Sequence, residues 1–372
     1  MQKKLLQFSK AFAILLSVFV CVWCAAVRFQ SWAREEGTDA LLLAAGMRVE
    51  ETEKAEGRPQ APPSAKETAR SQVEAEETDL GLPDDGIVPF HGEELPGVSA
   101  TPDPGRASNT VEEILIDGGE QVGNFFVKDT SGSGVNLTEE LKQDPAVSLK
   151  SNGEVEVLIY HTHTSEAYMP QFTGFYYTDM ETRTQNQDRS VVAVGEEIKK
   201  ALEAEGIGVV HDTTVNDALY NGSYSRSWEV LQNNLEKYPG IQVTIDVHRD
   251  SMTTEEGVKY KPTAVINGRK AAQIMFLAGS DANGDWGDFP DWRDNLHLAL
   301  LVQQTASELY PELVRPLDFS DSKYNMNATK GSLLVEVGTE VNTASEARYS
   351  GKLVGEILAK TLKNSDLEFV KF

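Results

Sequence analysis

Cysteine is almost missing from this chain. Its 372 residues hold two, Cys21 and Cys24, and both sit in one apolar run near the N-terminus. The rest of the chain can build no disulfide framework and offers no thiol as nucleophile or metal ligand. Any metal there must be held by histidine and carboxylate. Positive charge is also scarce: 34 Lys and Arg stand against 58 Asp and Glu, a formal charge of −24. That balance excludes no fold, but it argues against a nucleic-acid partner, which calls for a basic patch. No internal repeat is present, which excludes a repeat array.

Aromatic and large apolar residues are thin from Glu35 to about Glu113, where Glu, Asp, Pro, Ala and Gly dominate. Such a composition cannot bury enough apolar surface to offset its ordering entropy. We read residues 28–110 as a flexible acidic spacer, a solvated tether. Before it, Lys3, Lys4 and Lys10 precede an uncharged run over 11–27 that includes Ile14, Leu15, Leu16, Val18, Phe19 and Val20. The run is at the short end for a spanning helix, for which about 20 residues are usual. Positive charge ahead of it keeps residues 1–10 in the cytoplasm and sends the remainder outward. Cys24-Ala25-Ala26 also offers the small residues of a signal-peptide cleavage site. An uncleaved single-pass anchor is the expectation adopted here.

Order is expected to begin near Val111. From there strand and helix patterns alternate. Val155 to Tyr160 and Ile241 to Val247 are apolar strands, and Ser332 to Val337 is a third. Ser190 to Glu205 carries Val191, Val194, Ile198 and Leu202 at helical spacing and stops at Gly206. Tyr224, Trp228, Leu231, Leu235 and Tyr238 mark a second helix with a core-facing stripe. Leu296 to Tyr310 is a third, and Thr343-Ala344-Ser345-Glu346 is a capping box that opens the last. Asn267-Gly268 is a hairpin turn between Thr263–Ile266 and Ala272–Ala278. The pattern implies one α/β domain over 111–372, with a mostly parallel sheet flanked by helices.

Two strands break abruptly into polar residues: Val157-Leu158-Ile159-Tyr160 runs into His161-Thr162-His163-Thr164-Ser165-Glu166, and Ile245-Asp246-Val247 into His248-Arg249-Asp250. In open α/β sheets ligands gather just past the carboxyl ends of strands. If the first strand persists, His161 and His163 share one face. A histidine on an apolar face is by itself more often a hydrogen-bonded structural residue. Two of them, with a Glu following and a second His-bearing strand end, suit a three-ligand metal site with an open position. The spacing is less specific than a His-Glu-x-x-His signature.

Leu333-Leu334-Val335-Glu336-Val337 buries a carboxylate in an apolar run, which costs several kcal/mol unless it is paired or neutralised. A salt bridge to Arg249 or a surface-facing position would account for it. The functional reading makes Glu336 a general base acting on a water activated by the metal. Asp246, Arg249 and Asp250, together with His161, would then support the ligands or the substrate, a carboxylate accepting the far N–H of an imidazole; Arg249 can equally grip a substrate carboxylate. His211 and His297 are taken as structural or surface residues. Asp281 to Asp294, with Trp286 and Trp292, is either a groove-lining or a plain connecting loop.

Three motifs in order, His161-Thr162-His163-Thr164-Ser165-Glu166-Ala167-Tyr168, Asp246-Val247-His248-Arg249-Asp250 and Leu334-Val335-Glu336-Val337-Gly338 with Asn342-Thr343, resemble those of the stage II sporulation protein P family. The anchor, spacer and C-terminal domain resemble its layout too. The resemblance spans roughly 120–372. It implies an amidase-like fold, related to zinc-dependent N-acetylmuramoyl-L-alanine amidases, on a membrane-anchored peptidoglycan hydrolase of the forespore-engulfing membranes. Cleavage of the glycan–stem amide and of cross-linked stems is expected, with one Zn2+. The sporulation proteins D (a lytic transglycosylase) and M (a membrane protein) are the expected partners.

Carried over residue by residue, the resemblance puts His163 and His248 at the histidine ligands and Glu336 at the catalytic glutamate. The amidases take a Glu ligand from the start of the next helix, where this chain has Asp188-Arg189-Ser190-Val191. The role passes to Glu166, a departure from the pattern. A register shift would exchange His161 for His163. The alternatives are a non-catalytic cell-wall-binding or scaffolding protein on the same fold, and a metal-dependent glycan deacetylase. Imidazole and carboxylate ligands accept other borderline ions besides zinc.

Overall fold

The computed structural model describes residues 101–364. The expected tail (1–10), the anchor (11–27) and the spacer up to residue 100 lie outside the described residues. Among the described residues no helix is long and apolar enough to cross a membrane.

Among the described residues, twelve strands follow in chain order: β1 (Ser108–Ile114), β2 (Glu120–Val122), β3 (Phe125–Thr130), β4 (Val155–Tyr160), β5 (Phe175–Tyr177), β6 (Gly208–His211), β7 (Val243–Asp250), β8 (Lys259–Ile266), β9 (Arg269–Ala272), β10 (Ile274–Gly279), β11 (Leu317–Ser320) and β12 (Gly331–Thr339). The long helices are α1 (Val191–Ala204), α2 (Ser223–Lys237), α3 (Trp292–Leu309) and α4 (Ala344–Asn364). β1 starts at Ser108, ahead of the boundary expected at Val111.

The main sheet runs β2-β3-β11-β10-β12-β7-β4-β6. Its pairings are parallel except β2–β3 and β10–β12. The expectation of one sheet needs correcting, because a second sheet, β5-β1-β8-β9, stands apart from it. Asn267 and Gly268 do turn a hairpin, both with positive φ (51° and 79°), as a tight I′-type turn requires. The arms of that hairpin, β8 and β9, belong to the smaller sheet. The apolar run read as one strand from Ala272 to Ala278 breaks at buried Gln273. Its amide accepts from the Ile116 N–H (2.7 Å) and donates to the Ile116 and Glu312 carbonyls, and β10 then enters the main sheet.

Period-two alternation sorts β4 between two cores. Val157 and Ile159 join Val191, Val194, Ile198 and Leu202 of α1 in the large cluster. Leu158 and Tyr160 pack instead with Leu231 of α2, flanked by Trp228, Leu235 and Tyr238. α1 and α4 lie unusually close, because a Cβ on Gly355 would sit 2.5 Å from the Cβ of Ala201. The Ser190 hydroxyl caps α1 by accepting from the Val192 N–H at 3.2 Å. The capping box forms as written: Thr343 N–H donates to Glu346 (2.9 Å), and Glu346 N–H to the Thr343 hydroxyl (3.2 Å).

Candidate active site

β12, β7 and β4 are consecutive and parallel, so the three motif-bearing strands end at one edge. In register, Tyr160 stands opposite Asp246, and Glu336 opposite His248. Val243, Ile245 and Val247 of β7 belong to the large apolar cluster. Alternation therefore turns Thr244, Asp246 and His248 to the other face, where Glu336 lies beside His248. The pairing becomes irregular between Glu336 and Thr339, where Gly338 takes φ +61°. A side chain there would be strained, and a Cβ would meet Asn342 Oδ1 at 2.5 Å. Such irregularities re-aim side chains at strand ends. The Tyr168 hydroxyl donates to the Val337 carbonyl at 2.9 Å and ties the first motif to the third.

β4 ends at Tyr160, and the chain turns at once. His161 and His163 consequently do not share a face. His163 lies edge-on to His248, ring centres 5.4 Å apart. Glu166 Oε2 is 3.5 Å from His248 Nδ1 and accepts from the Arg249 backbone N–H at 3.1 Å. Asp246 Oδ1 lies 3.0 Å from His248 Nε2, a close electrostatic contact with poor hydrogen-bond angles. The Asp246 carboxylate is itself fixed by Thr162, through its N–H (2.8 Å) and its hydroxyl (2.7 Å).

His161 turns to the other side of the sheet. Its Nδ1 contacts the Val247 carbonyl (3.0 Å) and its Nε2 meets His211 Nε2 (2.8 Å). The carbonyl takes the Nδ1 proton, so Nε2 accepts from His211. Gly195 of α1 makes room, since a Cβ there would stand 2.7 Å from His211 Nε2 and 2.9 Å from His161 Cε1. His161 thus stands apart from the cluster, which assembles around His163. His211 also contacts Glu196 (3.2 Å) and His297 contacts Glu140 (2.7 Å).

Charge follows this division. Burial lowers the pKa of His161 to about 3 and of His163 to about 4, leaving both neutral. Burial alone would raise Glu166 and Asp246, but His248 holds both below the usual carboxylate range. Burial alone would lower His248, whereas Asp246 and Glu166 keep it charged well above its ordinary value.

These features bear on whether a metal fits. His163 Nδ1 is buried without a hydrogen-bond partner, and a neutral imidazole has a lone pair to give. Two carboxylates already demand positive charge at His248. The donors suit a borderline cation in kind. Among the described residues, however, no three His, Cys, Asp or Glu side chains converge closely enough to form a ready metal-holding group.

Arg249 is buried, donates to the Thr182 carbonyl (2.9 Å) and approaches Glu340 (3.8 Å). Asp250 pairs with Arg315 at 3.0 Å. Trp292 is buried, while Trp286 is exposed and donates to Asp321 (3.1 Å).

Sequence reasoning passed over Tyr220 and Arg183, and it gave Tyr224 to the core-facing stripe of α2, whereas its ring meets His163. Tyr220 stacks flat on His163, ring centres 4.9 Å apart, and Tyr224 meets its edge at 5.7 Å. Tyr220 lies on the connection after β6, and Tyr224 in the first turn of α2 that follows it; β6 ends at the same edge as β4 and β7. That position past a parallel strand was the signal that would have found Tyr220.

Residues 50–359 match the family described as Stage II sporulation protein P (SpoIIP). The chain belongs to the stage II sporulation protein P family. It is 26% identical over 235 residues to Stage II sporulation protein P of Bacillus subtilis (strain 168), covering 60% of this chain and 55% of that protein. The chain thus spans about half the length of that curated relative. Among solved structures, this family member matches N-acetylmuramoyl-L-alanine amidase AmiC2 of Nostoc punctiforme at 13% identity and a TM-score of 0.32, over 59% of this chain and 98% of that one. It matches the CwlD amidase from Clostridioides difficile, solved with the GerS lipoprotein, at 11% identity and a TM-score of 0.30, over 56% and 95% respectively.

Proposed function

We propose that this sporulation-family protein is a membrane-anchored, zinc-dependent peptidoglycan hydrolase of engulfment. It would cleave the N-acetylmuramoyl-L-alanine amide and cross-linked stem peptides. The observation that carries the reading is Glu336 in register with His248 on adjacent parallel strands, with Glu166 and His163 packed against the same imidazole.

His163, Glu166 and His248 are the residues that would hold the ion. When bound, it supplies a Lewis acid that polarises the scissile carbonyl. Asp246, clamped by Thr162, fixes the orientation of the His248 ring. Glu336 takes the proton of the attacking water and returns it to the leaving amine. Tyr220 and Tyr224 confine His163 and keep bulk water from it. Residues 11–27 would anchor the chain, with the site outside the cytoplasm. Partnership with sporulation proteins D and M rests on the resemblance alone.

The test is digestion of purified peptidoglycan by the purified chain, with and without chelator, read by mass spectrometry. Peptide-free glycan plus free stems, lost on chelation and restored by zinc, is the expected result. Separated stems still attached to glycan would make endopeptidase cleavage primary. Released acetate with stems attached would indicate a deacetylase. No release under any metal condition would contradict the hydrolase reading and favour wall binding.

A further inference from the structure

We propose that Arg183 and the apolar β6–α2 loop form a subsite for a free carboxylate on the peptide presented to this site. The proposal rests on the hydrolase reading for its physiological ligand, the stem peptide, though not for its test.

Backbone pairing fixes where Arg183 stands. Glu166 and Arg183 form an antiparallel bridge. It is flanked by hydrogen bonds from Ala167 N–H to the Thr182 carbonyl (3.0 Å) and from Thr184 N–H to the Ser165 carbonyl (2.7 Å). Residues directly opposite in such a pair project their side chains to the same side. The guanidinium is thereby delivered next to the turn that carries His163 and Glu166. Its Nη1 donates to Asp217 (2.6 Å) and approaches the Ser165 hydroxyl (3.4 Å). The buried Asp217 carboxylate also accepts from the Ser165 N–H (3.2 Å) and hydroxyl (2.6 Å). One corner of the fork is anchored, while Nη2 and Nε donate to nothing among the described residues. About a third of the side chain (35%) is exposed. An arginine fork with open donors matches a carboxylate in geometry and charge.

The wall beside it is apolar and already formed. Among the described residues five large hydrophobics are exposed, and three lie on this one loop: Val215 (39%), Leu219 (74%) and Tyr220 (45%). Arg226 holds the loop by donating to the carbonyls of Asn216 (2.6 Å), Leu219 and Asn221 (3.2 Å). Tyr220 touches both Arg183, whose Cζ is 4.9 Å from its ring centre, and His163. A ligand on this wall therefore lies beside the reacting residues. A cation next to exposed aliphatic surface selects a short peptide with small side chains and a free carboxylate. On a chain of charge −24, an anion needs such a local partner to dwell there.

Calorimetric binding to the full chain, kept metal-free with chelator so that the probes stay intact, tests this. The probes are N-acetylmuramoyl-L-alanyl-D-glutamate and its counterpart with both glutamate carboxyls converted to amides. Wild type is expected to prefer the acid by about tenfold, and Arg183→Gln to bind both alike at the weaker affinity. Arg183→Lys, which keeps the charge facing Asp217 but loses the fork, should show an intermediate preference and guards against misfolding of the Gln variant. Tyr220→Ala should weaken both probes equally. An undiminished acid preference in folded Arg183→Gln, or no binding of either probe, overturns the subsite. Acid preference lost with Arg183 in a chain that releases nothing from peptidoglycan would sink the hydrolase reading and leave the subsite standing. Hydrolysis without acid preference would do the reverse.

Discussion

On β7, Val243, Ile245 and Val247 point into the apolar cluster beneath α1, while Thr244, Asp246 and His248 point to the opposite face. Neighbours in sequence are thus held by different forces. The first set is stabilised by area removed from water, roughly 1.5–3 kcal/mol per side chain. The second is a set of buried polar groups that persist because each has partners: Thr244 with the Ser332 hydroxyl (2.8 Å), Asp246 with Thr162, His248 between Asp246 and Glu166. Stability and chemistry occupy alternate positions of one strand, so substitutions should separate them.

The sharpest break is His248→Ala. Hydrolysis and metal content should both fall below detection. Stripping the charge from between Asp246 and Glu166 should also cost about 3–5 kcal/mol in denaturant unfolding. Its counterpart on the other face, Ile245→Ala, should destabilise by about 2–5 kcal/mol while leaving the rate per folded molecule unchanged. A rate loss there at full stability would erase the distinction between faces. Gly338→Ala tests the strand end that aims Glu336. Positive φ and the close approach of Asn342 predict roughly 1–3 kcal/mol of destabilisation, with kcat falling more than KM rises.

The smallest effect concerns acid. His161 and His211 are both depressed by burial, His161 to about 3, so below about pH 6.5 the unfolded chain takes up protons that the folded chain refuses. Their contribution is complete above pH 6.5 and is lost as pH falls, at up to about 1.4 kcal/mol per pH unit for each histidine. Unfolding curves across that range should flatten in His211→Gln. An unchanged slope would mean the pair is charged when folded.

Much of this was legible in the sequence because periodicity is local. The three motif strands, α1 with its glycine stop, the α2 stripe from Trp228 on and the capping box of α4 all follow from spacing within a dozen or so residues. What stayed hidden depends on distant pairing. Nothing in Arg183 announces that its backbone will bridge Glu166 across an aperiodic loop, nor that His161 will find His211 on the next strand. Gln273 read as part of an apolar run until its amide was seen to bridge Ile116 and Glu312. His161 and His163 were expected to share a face only if β4 ran on, and the turn after Tyr160 separates them.

The most direct measurement of the central claim is stem-peptide release from purified peptidoglycan by zinc-loaded Glu336→Gln protein. The account predicts a fall of about 10²–10⁴-fold, with metal content and thermal midpoint as in wild type. Release at the wild-type rate, from protein free of other hydrolases, would contradict it.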